Sequence, residues 1–267
     1  MVKLLRYELK SLLRGLLPIY GAVLAVALCN RVLWLFPLSL HADGPLSGIA
    51  AIIALSVYIL LCIGVAVLTL IVIVQRFYQG LLGKEGYLMF TLPLKSWQLI
   101  GSKLLGAFLV TMLSTIVGIC SILILLSYPE IYQDFLAIHW AEIIHDAFVK
   151  MPSWPLFLVE FFFYCCILTF ASTLLLYVSM ALGHLSHNHR ILWAVIWYVI
   201  LSTVISALES IVTALVPSLS FLSVLEHATT TFQLHLVFWY GIGYYLLQSV
   251  VFFIGTNFIL NRRLNLQ

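Results

Sequence analysis

Six stretches of this chain run for more than twenty residues with hardly a charge to interrupt them. They fall near residues 16–38, 48–74, 99–126, 154–182, 191–212 and 237–260. A helix of about 20 apolar residues crosses the hydrocarbon core of a bilayer, so each run is long enough to span one. In that core no water bonds the backbone, and a helix satisfies its own N–H and C=O groups. Charged residues make up 9% of the chain, against about 25% in a soluble domain. The expected fold class is an all-α membrane protein with six transmembrane helices in a single transmembrane domain, residues 1–267.

Basic residues near span ends stay on the cytoplasmic side. Lys3, Arg6, Lys10, Arg14, Arg76, Lys84, Lys95, Lys103, Arg190, Arg262 and Arg263 fall on one side of a six-span arrangement, and only Arg31 and Lys150 do not. The opposite loops carry Asp43, Glu130, Asp134, Glu142, Asp146 and Glu226. Both termini are thus expected in the cytoplasm, and residues 127–153 and 213–236 are expected outside. The net charge of +3 reads as sidedness and gives no support to nucleic-acid binding. The basic start resembles a signal peptide, but its apolar run is too long and lacks a small-x-small cleavage site, so it is expected to be retained. Cys29, Cys62, Cys120, Cys165 and Cys166 all lie inside expected spans without a CxxC pair, as small apolar residues do.

Residues 1–15, MVKLLRYELKSLLRG, predict an amphipathic interfacial helix. At about 100° per residue, Lys3, Arg6, Lys10 and Arg14 project to one side while Leu5, Leu9, Leu12 and Leu16 gather away from them. Membrane lipid with anionic headgroups is the natural partner of such a helix.

Between the second and third spans the chain reads RFYQGLLGKEGYLMFTLPLK, far more than a turn requires. Phe77, Tyr78, Leu81 and Leu82 have the i, i+1, i+4, i+5 spacing of one helix face, Gly83 and Gly86 break it, and Thr91-Leu92-Pro93 makes a turn. The spacing predicts a short surface helix, a bend and a re-entry. It either docks a partner or floats among lipid headgroups. The echo of a phosphate-binding loop in Gly80-Leu81-Leu82-Gly83-Lys84-Glu85 fails, because the glycine spacing is short and Glu85 stands where Ser or Thr belongs.

The stretch FYQGLLGKEGYLMFTLPLKSWQLIGSKLLGA resembles the loop after the second span in small permeases of the ABC-2 type, the membrane subunits of bacterial ATP-binding-cassette exporters. The resemblance rests on Gly83, Glu85, Gly86, Tyr87, Leu88, Phe90, Thr91, Leu92 and Pro93, followed by Ser102 and Lys103. The basic N-terminus, the six spans and the segment GHLSHNHR are similar as well. The resemblance implies a cytoplasmic coupling helix within residues 75–98, with Phe77, Tyr78, Leu81, Leu82, Lys84, Glu85, Gly86 and Tyr87 facing an ATPase. It further implies a bacterial plasma-membrane location, ABC ATPase subunits as partners, and a second permease in a homo- or heterodimer. No cofactor is expected in this chain, and ATP and Mg belong to the partner ATPase. The chain itself is expected not to be an enzyme.

Ionisable groups inside spans are costly and usually paired. Arg31, Glu160 and Glu209 stand within or near expected spans toward the outer leaflet, with Gln248 in the sixth. They predict either a structural ion pair, with Arg31 also able to snorkel, or the lining of a substrate path. His184, His187 and His189 read as a polar connecting loop, with no metal expected. His139, Glu142, His145 and Asp146 lack the HExxH order and a second ExxH pair. No GxSxG elbow or Cys-His constellation appears. The expected function is export of an amphipathic or hydrophobic peptide, drug or lipid. A proton-coupled secondary transporter using Glu160 or Glu209 is the alternative, as is a non-transporting immunity or scaffold protein.

Overall fold

The computed structural model describes residues 2–35, 45–82, 96–126, 142, 149, 153–186, 189–215 and 230–262. Among them every regular element is helical: α1 (Val2–Leu35), α2 (Pro45–Phe77) running into a π turn (Tyr78–Leu82), α3 (Ser96–Leu126), α4 (Trp154–His184), α5 (Arg190–Leu215) and α6 (Thr230–Arg262). Six of these stretches are long and apolar enough to cross a membrane: Leu5–Val32, Ser56–Leu82, Ser96–Leu125, Trp154–His184, Arg190–Val212 and Phe232–Asn261. The chain is built as a multi-pass membrane protein.

The helices begin where the sequence permits. Pro45 opens α2 and Pro155 lies in the first turn of α4, positions where a missing N–H leaves no intrahelical bond unmade. Between α4 and α5 the backbone turns through His189 at φ 55°, a left-handed conformation that histidine tolerates better than most residues. The His189 carbonyl then accepts from Trp193 N at 3.1 Å, the first bond of α5.

The chain forms two compact units, residues 1–76 with 105–140, and residues 77–104 with 141–267. The first has a core of Leu12, Leu16, Tyr20 and Val23 from α1 with Val65 of α2 and Val110 of α3. Gly106 admits α1 closely, since a Cβ there would meet Leu12 Cδ1 at 3.4 Å. Hydroxyls join the same helices. Tyr20 Oη and Ser114 Oγ are 2.5 Å apart, Thr69 Oγ1 is 3.1 Å from Ser114 Oγ, and Tyr58 Oη is 2.8 Å from Ser121 Oγ.

This core revises the expectation of a separate helix over residues 1–15. The Leu12 and Leu16 stripe is in phase with Tyr20 and Val23, and the helix runs on through Gly15 and Pro18, so one helix of 34 residues carries both. Leu12 and Leu16 are covered by the chain's own helices. Arg6, Lys10 and Arg14 remain exposed on the other side.

In the second unit α4 packs against both α5 and α6. Small residues set the spacing. A Cβ on Gly183 would come 2.5 Å from the Ala194 backbone, and one on Gly241 would come 2.7 Å from Tyr164 Cε2. Val178, Ala181 and Ile259 form one buried hydrophobic cluster of this unit. Ser96, at the start of α3, hydrogen-bonds Asn261 near the end of α6.

Candidate functional site

Two places in the second unit concentrate the singled-out residues. The first is the junction where α2 passes into its π turn. Phe77 is fully buried, with its ring stacked on Tyr177 at 3.9 Å between centroids and 15° between planes. Leu81 and Leu82 are buried as well, at 0% and 4% exposure. Tyr78 is half-buried, its ring 6.2 Å from His184, and Gln79 is exposed. The expected outward face of Phe77, Leu81 and Leu82 is therefore an inward one. The helix of the second span does not end before Phe77, and these three side chains serve as core. Lys84, Glu85, Gly86 and Tyr87 lie outside the described residues.

Lys103 completes the junction. It is 5% exposed, and a Cβ on Gly80 would lie 2.4 Å from its Nζ and 3.0 Å from its Cε. The ammonium thus occupies the notch left by the missing side chain at residue 80. Tyr177 Oη donates to the Lys103 carbonyl at 3.3 Å. Arg190 Nη1 lies 3.1 Å from His184 Nε2, and the His184 ring also bonds the Leu82 backbone. Tyr177 carries no local motif, and its role follows from contacts made across a hundred residues of sequence.

The second place is a polar cluster against α6. Glu160 of α4 is 5% exposed. Its Oε2 lies 2.6 Å from His235 Nδ1, and its Oε1 accepts from Trp239 Nε1 at 2.9 Å. Aromatic rings wall it: Phe157 meets Phe238 edge-on at 4.8 Å, and Tyr164 meets Phe238 at 5.6 Å. Farther along α6, Tyr245 Oη donates to Glu209 Oε1 of α5 at 3.0 Å. Gln248 follows one turn later, its Oε1 buried and without a hydrogen-bond partner among the described residues.

Both oxygens of Glu160 are thus engaged by α6. His235 falls in residues 213–236, expected outside the membrane, and Trp239 at the start of the expected sixth span carries no charge to mark it as a partner for Glu160. The helix instead starts at Thr230, placing His235 and Trp239 one turn apart on one face. Among the described residues no group of three or more His, Cys, Asp or Glu is arranged to hold a metal ion. The chemistry on offer is hydrogen bonding and proton exchange between a carboxylate and an imidazole, in an apolar setting. Comparison with known proteins finds no family model, no curated protein and no solved structure that matches the chain.

Proposed function

We propose that the chain is the membrane-spanning permease subunit of a bacterial ATP-binding-cassette exporter, driven by a separate ATPase. The observation that carries this reading is the anchoring of the loop's base. Phe77 and Leu81 are buried, and Phe77 stacks on Tyr177 of α4. A loop with such a base passes a push into α4, whereas a loop floating among headgroups needs no such attachment. The resemblance of residues 83–103 to ABC-2 permeases supplies the partner, and with Phe77, Leu81 and Leu82 buried, docking is assigned on this reading to Lys84, Glu85, Gly86 and Tyr87 together with the half-buried Tyr78.

On this reading both termini and the coupling loop are cytoplasmic, and two permeases, identical or sister chains, assemble with two ATPases. An open apolar groove of about 340 Å³, lined by residues such as Leu104, Phe170, Leu246 and Phe253, supports a substrate with a hydrophobic part. ATP and Mg act in the partner. The test is coexpression with a candidate ATPase, native mass measurement in detergent, and ATP-driven efflux from liposomes. A permease that stays free of every ATPase encoded beside it, and moves nothing with ATP, sinks the reading.

One observation favours a second reading. The Glu160–His235 hydrogen bond is largely buried, and such a pair is suited to carry a proton in a secondary transporter. Efflux driven by a proton gradient without ATP, and abolished by Glu160→Gln, would select it.

A further inference from the structure

We infer that Arg6, Lys10 and Arg14 form a binding site for an anionic phospholipid seated against the upright helix α1. At about 100° per residue the three cations share one sector of the helix about 80° wide. Leu17, Gly21, Leu28 and Val32 fall in that same sector, and all four are exposed. The register holds across Pro18, because Leu12 and Leu16 before it and Tyr20 and Val23 after it pack into one core. The cations therefore stand in line with the stripe of α1 that its own protein leaves uncovered.

Charge and depth select the ligand. Glu8 is the one carboxylate in α1, and it is buried on the α3 side, where a Cβ on Gly106 would lie 3.8 Å from its own. Arg6, Lys10 and Arg14 have no hydrogen bond or ion pair among the described residues, so the anion that neutralises this stripe comes from outside the chain. The 34 residues of α1 extend about 50 Å, against about 30 Å of hydrocarbon and about 40–45 Å with the headgroups. Counting back about 20 residues from Leu35 sets Arg14 at the hydrocarbon edge, and Lys10 and Arg6 follow at intervals of about 6 Å. A phospholipid meets both halves of the stripe. Its phosphate reaches the Arg14 guanidinium, a planar donor fork suited to it, and the Lys10 ammonium. Its acyl chain runs along Leu17 and past Gly21, where nothing lies within 4 Å of a Cβ. An acidic protein would match the cations and leave the apolar half unused. The site is independent of the permease reading and of which leaflet holds the N-terminus.

Crosslinking along the stripe tests this. The full-length protein is placed in vesicles of equal parts phosphatidylglycerol and phosphatidylcholine with identical acyl chains. A photoreactive phenylalanine analogue replaces Leu17 or, separately, Leu28, and the crosslinked lipids are identified by mass. One basic residue at a membrane surface shifts the balance toward anionic lipid by about fivefold, so phosphatidylglycerol adducts at Leu17 should exceed phosphatidylcholine adducts by about that factor. At Leu28, about 16 Å farther along the same stripe, the two should match the vesicle composition. Combining Arg6→Gln, Lys10→Gln and Arg14→Gln should bring Leu17 to parity while leaving helix propensity nearly unchanged. Raising the salt from about 0.05 to about 0.5 M should reduce the excess in the unsubstituted stripe, since exposed charges are then screened.

Parity at Leu17 with all three cations present overturns the site. So does an anionic excess at Leu17 that survives the triple substitution, or an equal excess at Leu28, which would make the preference a property of the whole lipid-facing surface. If the triple variant fails to accumulate, the salt series decides, and an excess unchanged at high salt overturns the site. Lipid parity at Leu17 together with an acidic protein that binds the native stripe and releases the triple variant would assign the cations to a protein partner, and the lipid site would fall.

Discussion

The ring of Phe77 lies 3.9 Å from that of Tyr177, inclined by 15°. Both residues are at most 1% exposed, so this contact is core packing at the mouth of the loop. Large-to-small changes in such positions leave a cavity and cost about 3–5 kcal/mol for Phe→Ala. Phe77→Ala is expected to lower the melting temperature of the detergent-solubilised protein far more than Tyr78→Ala, whose half-buried ring should cost about 1 kcal/mol. Equal melting temperatures for the two variants would contradict the burial of Phe77.

The Glu160–His235–Trp239 cluster predicts non-additive behaviour. Glu160→Gln places a donor where His235 Nδ1 now finds a carboxylate oxygen at 2.6 Å. A cycle built from Glu160→Gln, His235→Ala and the double variant should show a coupling of about 1–2 kcal/mol, between that of a charge-assisted bond and an average intramembrane hydrogen bond. Simple addition of the two single effects in unfolding experiments would mean that the contact contributes nothing.

In the first unit Ser114 touches both Tyr20 and Thr69. Ser114→Ala removes both contacts at once, yet Thr69 keeps its bond to the Val65 carbonyl at 2.7 Å. The cost should stay near 1 kcal/mol, as for other hydroxyl bonds between membrane helices. A loss of several kcal/mol in reversible unfolding would show that Ser114 does more than join two hydroxyls.

Two glycines should respond oppositely to a methyl group. Gly183→Ala forces a Cβ to within 2.5 Å of the Ala194 backbone, which cannot swing aside as a side chain can. Spreading α4 from α5 is expected to cost about 1–3 kcal/mol, as overpacking does. Nothing lies within 4 Å of a Cβ at Gly21, so Gly21→Ala should be neutral or stabilising by up to about 1 kcal/mol through helix propensity. Thermal melts of the pair settle the order.

The six spans were legible in the sequence because the bilayer demands the same thing everywhere: an apolar run long enough to cross it, with backbone bonds closed inside the helix. That demand is local, so runs such as 191–212 correspond to α5 with only small shifts at the ends. The presence of costly polar groups within them was legible too, since Glu160, Glu209 and Gln248 break an apolar pattern. Amphipathic spacing was ambiguous. It correctly grouped Leu12 with Leu16, and Phe77 with Leu81, but a stripe of apolar residues fits a lipid surface, a partner or the protein's own core equally well. Tertiary packing chose the core in both cases, because Val65 and Val110 cover the first stripe and Tyr177 meets Phe77 in the second. It also chose His235 and Trp239 for Glu160 and Tyr245 for Glu209. A buried carboxylate states only that it needs donors, and which donors reach it depends on how α4, α5 and α6 pack in space.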